Sequence, residues 1–316
     1  RHQSARATRL AEASDAEAAA RTREVLRDVR MAWLELAYQD AALAQLGVTT
    51  KAFDDIVGIT KSLYRTGRNN LQDVLSAQLE RALLDDRKAE LSAERAAALA
   101  QLQRWTDPLA QDVRVATDVP VLAAPPERET LRAQLQAHPM VQAESQRVAA
   151  GQSAVEAARQ SYKPGWMVDV SYGDRRGRMA DGERRSDMVT AMVTLDLPLF
   201  PGQRQDRRVA ASVAEADAMR FRRDEAYRDL LRTLDTEYAR WEQLRTREQG
   251  YEKSIVPAAR NNAEAALNAY RNSVTDFSAL MRAQIAELDT RLQALRTRTE
   301  RLLAQVRLLY LAGDQS

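Results

Sequence analysis

Part of this chain occurs twice, and that repetition limits its fold more than any other feature. Tyr64-Arg65-Thr66-Gly67-Arg68-Asn69-Asn70-Leu71 runs on to Leu75, Ala77 and Gln78. Tyr270-Arg271-Asn272-Ser273-Val274-Thr275-Asp276-Phe277 runs on to Met281, Ala283 and Gln284, at a constant offset of 206 residues. A long helical pattern leads into each copy, roughly 5–63 and 204–269, and another leaves it, roughly 71–105 and 277–311. A repeat of this kind means one supersecondary unit used twice. The unit here is a pair of helices joined at a tight tip.

The spacing of apolar residues says how the helices pack. Met281, Ile285, Leu288, Leu292, Leu295, Thr299, Leu302, Val306 and Leu309 step by four and three without a break. That is a coiled-coil seam with an Arg/Glu-rich exterior. The corresponding series in the first copy is Leu75, Leu79, Ala82, Asp86, Ala89, Ala93, Ala96 and Ala100. Before the tips, Val25, Val29, Ala32 and Leu36, and then Tyr227, Leu231, Leu234, Tyr238 and Trp241, keep the same rhythm. About 60 helical residues span on the order of 90 Å. Two long antiparallel hairpins are therefore expected, each needing lateral partners to bury a second apolar stripe.

Between the repeats the texture changes. The pairs Asp107-Pro108, Val119-Pro120 and Pro125-Pro126 mark an irregular stretch holding the short extended piece Val113-Arg114-Val115. A short helix over 129–137 precedes His138-Pro139, and Pro139 suits the first turn of a helix reaching about Tyr162. Lys163-Pro164-Gly165 ends it. Two segments then alternate as strands. Trp166, Val168, Val170 and Tyr172 share one face, opposite Asp169 and Ser171. In 188–199, Val189, Ala191, Val193, Leu195 and Leu197 face one way, and Met188, Thr190, Met192, Thr194 and Asp196 the other. Such a pair fits a transmembrane barrel hairpin and equally a half-buried soluble one. Alone, two strands cannot cover their edges.

Composition removes several function classes. With no cysteine and only His2 and His138, the chain lacks thiolate nucleophiles, disulfides and any Cys/His metal cage. A net charge of +2 creates no basic field for nucleic acid. There is no nucleophile–base pair, acid–base constellation or Gly-rich phosphate loop, so neither an enzyme nor a cofactor is expected. No run approaches the roughly 20 apolar residues of a membrane-spanning helix.

Taken in order, these features resemble the outer-membrane efflux protein (TolC) family, over essentially the whole chain. The marks are the tandem repeat, the tip Tyr64–Gly67, the following Asp73-Val74-Leu75 with Ala77-Gln78, and His138-Pro139. Leu197-Pro198-Leu199-Phe200-Pro201-Gly202 after the second strand, and Ile255-Val256-Pro257 within the long helix before Tyr270, complete the set. The resemblance implies a mainly α fold with a small β part. Long antiparallel helical hairpins build an α-barrel tunnel, and a β-hairpin adds to a trimeric transmembrane β-barrel. The expected segments are a first-repeat hairpin over 1–105 (tip 64–70), an equatorial-type irregular segment over 106–138 and a helix over 139–163. A barrel hairpin over 164–201 and a second-repeat hairpin over 202–316 (tip 270–276) follow. Arg1 falls opposite Arg207 of the second repeat, so a first β-hairpin and the helices ahead of it are expected upstream, and this stretch by itself is not expected to close a barrel.

The resemblance further implies a homotrimeric duct in the outer membrane of a Gram-negative bacterium. It would work with a periplasmic adaptor and an inner-membrane pump, and neither metal nor cofactor would take part. Asp169, Ser171, Thr190, Thr194 and Asp196 would line the barrel lumen. Val168, Val170, Tyr172, Val189, Val193 and Leu195 would face outer-membrane lipid. The tips Thr66-Gly67-Arg68 and Asn272-Ser273-Val274 would meet the adaptor, although Ser273 replaces the family's glycine and Gly67 is also a plain helix terminator. Relatives place gating acids where this chain has Ala279 and Arg282, which leaves Asp276 as the candidate periplasmic gate. The commoner role of an aspartate there is a helix N-cap. Met167, Met179, Met188 and Met192 cluster around the strands and suit soft-metal export or simple gap filling, beside export of drugs or other organic molecules. Two alternatives are a periplasmic adaptor, which would carry one hairpin flanked by β-rich halves, and a coiled-coil scaffold, which would not need the alternating strands.

Overall fold

No proline occurs before Pro108 to interrupt the first helical pattern. In the computed structural model, α1 accordingly runs unbroken through His2–Arg65. The structure describes residues 2–105, 121–178, 182, 184–196, 202 and 204–313. The pieces expected around 107–120, Met179 and the segment 197–201 lie outside the described residues. After α1 come α2 (Leu71–Gln103), α3 (Arg128–Gln134) with one 3-10 turn, and α4 (Pro139–Arg159) with another. The strands β1 (Gly165–Gly173) and β2 (Met188–Asp196) follow, then α5 (Gln205–Gly250), α6 (Val256–Arg271) and α7 (Phe277–Ala312).

Pro257 acts as its chemistry requires, in an unusual way. Lacking an N–H, it cannot bond to the carbonyl four residues back. A single π turn over Tyr251–Ile255 joins α5 to α6 and places Pro257 in the first turn of α6, where that N–H is not needed.

The chain divides into two compact units. The first comprises Arg1–Ala19 and Pro139–Arg228. In it α4 passes close to α5 at Gly151, where a Cβ would come within 2.8 Å of Met219 Sδ and 3.3 Å of Ala216 Cα. Arg147 also reaches Glu17 of α1 at 2.7 Å. The β-hairpin belongs to this unit, and among the described residues its strands pair only with each other.

The second unit comprises Ala20–His138 and Asp229–Ser316. Its main core draws Leu46, Phe53 and Ile56 from α1, Ala77 and Leu84 from α2, and Tyr270, Phe277, Met281, Leu288 and Leu292 from the second hairpin. Smaller clusters centre on Leu34 with Leu302 and Val306, and on Leu36 with Ala98 and Leu102. Ion pairs tie the elements at the rim, including Arg95–Asp40 at 2.5 Å and Arg296–Glu35 at 2.8 Å. His138 is buried edge-on to Tyr310, with ring centroids 5.2 Å apart.

Along the seam expected on α7, Met281, Leu288, Leu292, Thr299, Leu302, Val306 and Leu309 are buried, and Ile285 and Leu295 are half-buried against the main core. The seam expected on α2 is not the buried one. Val74, Ala77, Leu84, Leu91, Ala98 and Leu102 turn inward, and the series from Leu75 through Ala100 is exposed. Both series fit a heptad repeat, the inward one by steps of three, seven, seven, seven and four. The inward one carries the larger residues along its lower half, where the expected one has Asp86 and a run of alanines, so burial favours it.

Candidate functional site

Two surfaces carry the sequence-derived candidates: the helix tips and the β-hairpin faces. At the first tip the chain leaves α1 through a left-handed residue, Gly67 (φ +70°). The Gly67 N–H bonds back to the Tyr64 carbonyl at 3.0 Å and the Arg68 N–H to the Leu63 carbonyl at 2.9 Å. This pair of bonds is a Schellman stop, which satisfies carbonyls that the helix end would otherwise leave bare. The second tip repeats it bond for bond. The Ser273 N–H reaches the Tyr270 carbonyl at 3.0 Å, and the Val274 N–H reaches that of Ala269 at 2.8 Å.

Ser273 takes φ 58°, the one non-glycine residue with positive φ among those described. The geometry survives the loss of glycine because the surrounding bonds hold it. An L-residue there costs about 1–2 kcal/mol.

The next helix of each copy also starts the same way. The Asn70 side chain accepts from the Asp73 N–H at 2.8 Å, and Asp276 accepts from the Ala279 N–H at 2.7 Å. Asp276 is thus an N-cap. A second acid, not distinguished by turn chemistry alone, stands at this site. Asp73 stands at the repeat position of Ala279, and its carboxyl is raised above the ordinary value by partial burial and then by the nearby charge of Asp276. Its place in the Asp73-Val74-Leu75 motif was the available signal. Thr66, Gly67, Arg68, Asn272, Ser273 and Val274 are all exposed.

The β-hairpin brings each candidate set together. The antiparallel register pairs Trp166 with Leu195, Val168 with Val193, Val170 with Ala191 and Tyr172 with Val189, so one face is wholly apolar. The other face carries Met167 opposite Thr194, Asp169 opposite Met192, Ser171 opposite Thr190, Gly173 opposite Met188 and Gly165 opposite Asp196. Three methionines therefore sit among the polar residues, and both faces are exposed. At the loop end the Tyr172 hydroxyl donates to Asp187 at 2.5 Å, closing the connection. An exposed apolar face of this kind on a two-stranded sheet calls for an apolar surrounding. No group of acidic, His or Cys residues among those described could hold a metal ion. No helix among the described residues is long and apolar enough to cross a membrane.

Comparison with known proteins adds a frame. The sequence model for outer membrane efflux protein matches residues 130–314. No curated protein matches the chain. Among solved structures, a membrane protein from Pseudomonas aeruginosa superposes with a TM-score of 0.89 at 19% identity, covering 98% of this chain and 72% of that one. The outer membrane protein VceC from Vibrio cholerae gives 0.84 at 16% identity, covering 98% and 74%. The open state of the Neisseria gonorrhoeae MtrE outer membrane channel gives 0.80 at 17% identity, covering 99% and 71%. At these identities the likeness is one of fold.

Proposed function

This chain belongs to the outer membrane efflux protein family, and from that membership we propose that it is one subunit of a homotrimeric duct in the outer membrane of a Gram-negative bacterium. Three copies pool their helical hairpins into a periplasmic tunnel and their strands into a barrel. An inner-membrane pump and a periplasmic adaptor deliver substrate to the duct, which conducts it passively to the exterior. No covalent chemistry is needed. The chain's own residues set the width and charge of a water-filled path.

The observation that supports this most directly is the segregation of the hairpin faces. Val168, Val170, Tyr172, Val189, Val193 and Leu195 lie on one face and meet lipid, while Asp169, Ser171, Thr190, Thr194 and Asp196 lie on the other and line the lumen. A soluble hairpin has no use for an uncovered apolar face. The exposed tips Thr66-Gly67-Arg68 and Asn272-Ser273-Val274 dock the adaptor, and Asp276, with Asp73 beside it, sets the charge at the periplasmic mouth. The methionines of the polar face favour neither metal nor organic cargo, since thioethers pack as readily as they coordinate.

Single-channel recording of the detergent-extracted protein in planar bilayers tests the reading. Stable conductance, together with restored efflux in a strain lacking its own outer-membrane channel, is expected. Failure to insert, or insertion without conductance, sinks the duct. Restored efflux without membrane insertion would point to the adaptor alternative.

A further inference from the structure

The loop joining the two strands carries arginines for which a passive duct has no use. In sequence, residues 174–187 hold Arg175, Arg176, Arg178, Arg184 and Arg185 beside four acids, Asp174, Asp181, Glu183 and Asp187. Net charge is therefore small, and the pairing decides what the loop can do. Asp181 and Glu183 lie outside the described residues. Asp174 is taken by Arg176 at 3.0 Å. Asp187 accepts the Tyr172 hydroxyl at 2.5 Å and the Arg175 N–H at 3.2 Å. The Arg175 guanidinium turns back to Met188 Sδ at 3.0 Å. Arg178, Arg184 and Arg185 are left with exposed side chains and no carboxylate partner among the described residues.

Arg178 and Arg184 stand directly opposite one another in an isolated antiparallel bridge. The Arg185 N–H donates to the Gly177 carbonyl at 3.1 Å and holds that register. Residues paired in this way point to the same side of the ribbon, with Cβ atoms about 5 Å apart. Like charges directly opposite each other are destabilising, so the bridge by itself works against the fold. An anion between the two guanidinium groups reverses the sign. The planar fork of arginine matches phosphate oxygens bidentately, and two forks clasp one phosphate from both sides.

The position of the loop decides which phosphate is within reach. α4 and α5 both join the hairpin at its Gly165–Asp196 end, and the arginines lie at the other. Strands of nine residues span about 30 Å, or about 21 Å along the membrane normal when tilted by about 45°. The apolar face ends at Tyr172 opposite Val189, so the arginines begin where the apolar band stops. We infer that Arg178 and Arg184, with Arg185 beside them, clasp a phosphate on the headgroup of the outer-leaflet lipid around the barrel. The occupant is a lipid because the strands that carry the arginines also carry the apolar face that acyl chains cover. A free phosphate makes only the first of these contacts. The clasp fixes the depth of the hairpin in the membrane from its outer end. This assignment rests on the reading that the hairpin crosses the outer membrane with its helices on the periplasmic side.

Native mass spectrometry of the detergent-extracted protein tests the clasp, with lipid A carrying two phosphates as the probe. Its dephosphorylated form and inorganic phosphate are the comparisons. The phosphorylated lipid is expected to bind at least tenfold more tightly than the dephosphorylated one, and equimolar inorganic phosphate is expected not to displace it. Arg178→Gln with Arg184→Gln is expected to remove that preference, at exposed positions that leave the core untouched. Arg178→Lys with Arg184→Lys keeps the charge without the fork and is expected to retain part of it. Arg65→Gln with Arg68→Gln, which takes two charges from the first helix tip, is expected to change nothing. Equal binding of both lipids by protein that still inserts and conducts overturns the clasp and leaves the duct reading standing. A phosphate preference that survives Arg178→Gln with Arg184→Gln also overturns it, as does displacement by equimolar inorganic phosphate. Should that variant keep the lipid but lose its oligomeric state, the arginines pair with acids of another copy. Should it keep the lipid but change ion selectivity, they serve the cargo. Either result overturns the lipid assignment, and failure to insert overturns both readings.

Discussion

The hydroxyl of Tyr270 donates to Thr60 at 3.1 Å across 210 residues of sequence, and this bond locks the second helical hairpin onto the first. Thr60 is itself fully buried, and its hydroxyl donates to the Ile56 carbonyl at 2.8 Å. The ring of Tyr270 packs edge-on to Phe277 with centroids 5.9 Å apart. Tyr270→Phe keeps the ring and removes both hydroxyl bonds, which is expected to cost about 1–2 kcal/mol. Tyr270→Ala also empties the core site and is expected to cost about 3–5 kcal/mol. Thermal unfolding followed by circular dichroism separates the two, and equal losses would show that the hydroxyl bonds carry the whole effect.

Gly67 and Ser273 hold the same left-handed turn with different residues. Ser273→Gly removes the cost of an L-residue there and is expected to stabilise by about 1 kcal/mol. Gly67→Ala introduces that cost and is expected to destabilise by about 1–2 kcal/mol. A Ser273→Gly protein less stable than its parent would contradict the assigned conformation.

Asp276 combines a cap and a charge, and two variants part them. Asn accepts the Ala279 N–H as Asp does, so Asp276→Asn is expected to leave stability nearly unchanged. Asp276→Ala loses the cap, at about 1 kcal/mol. If Asp276 sets the charge of the periplasmic mouth, both variants weaken block by multivalent cations in single-channel recordings to the same extent. Unchanged block in Asp276→Asn would reduce the residue to a cap.

Acid is expected to loosen the second unit through His138. Burial, and after it the Arg23 guanidinium, lowers the imidazole to about 4 from 6.5, against an upward pull from Glu24. The folded value lies below the unfolded one. The neutral ring therefore contributes its full share above about pH 6.5, and that share is lost as pH falls towards 4. The loss is about 3 kcal/mol. His138→Gln is expected to flatten stability between pH 6.5 and 4 relative to the parent, measured by chemical unfolding. Parallel curves would exclude His138 as the source.

Val193 and Thr194 are neighbours on β2 that point to opposite faces. An arginine on a lipid face near mid-membrane costs about 2–4 kcal/mol, whereas one in the lumen mainly changes selectivity. Val193→Arg is expected to reduce the amount of protein in outer-membrane fractions. Thr194→Arg is expected to leave that amount unchanged and shift ion selectivity towards anions. The reverse pattern would exchange the two faces.

Much of this was legible because it is local and periodic. Alternation along 166–172 and 188–196 assigns the hairpin faces without any partner, and the register simply brings the two apolar sets together. The tips were readable from turn chemistry, down to the N-cap role of Asp276. The α2 stripe is ambiguous in sequence because Leu75-Leu79-Ala82, by steps of four and three, and Val74-Ala77-Leu84, by steps of three and seven, both fit a heptad repeat. Only the placement of α1 and α7 against α2 decides which of them is covered. Nor does the sequence predict that Ser273 adopts a glycine-like conformation, since that depends on bonds from Ser273 and Val274 back into α6.

By itself, then, the sequence determined the repeat, the helices, the two tips and the two-faced hairpin, all features written in short-range spacing and side-chain chemistry. The tertiary structure decided which of two identical tyrosines is buried. Tyr270 enters the core beside Thr60 and Asn69, and Tyr64 stays at the surface. The physical reason is that burial belongs to a pair of surfaces. A periodic stripe announces that it must be covered, but its cover comes from residues some two hundred positions away.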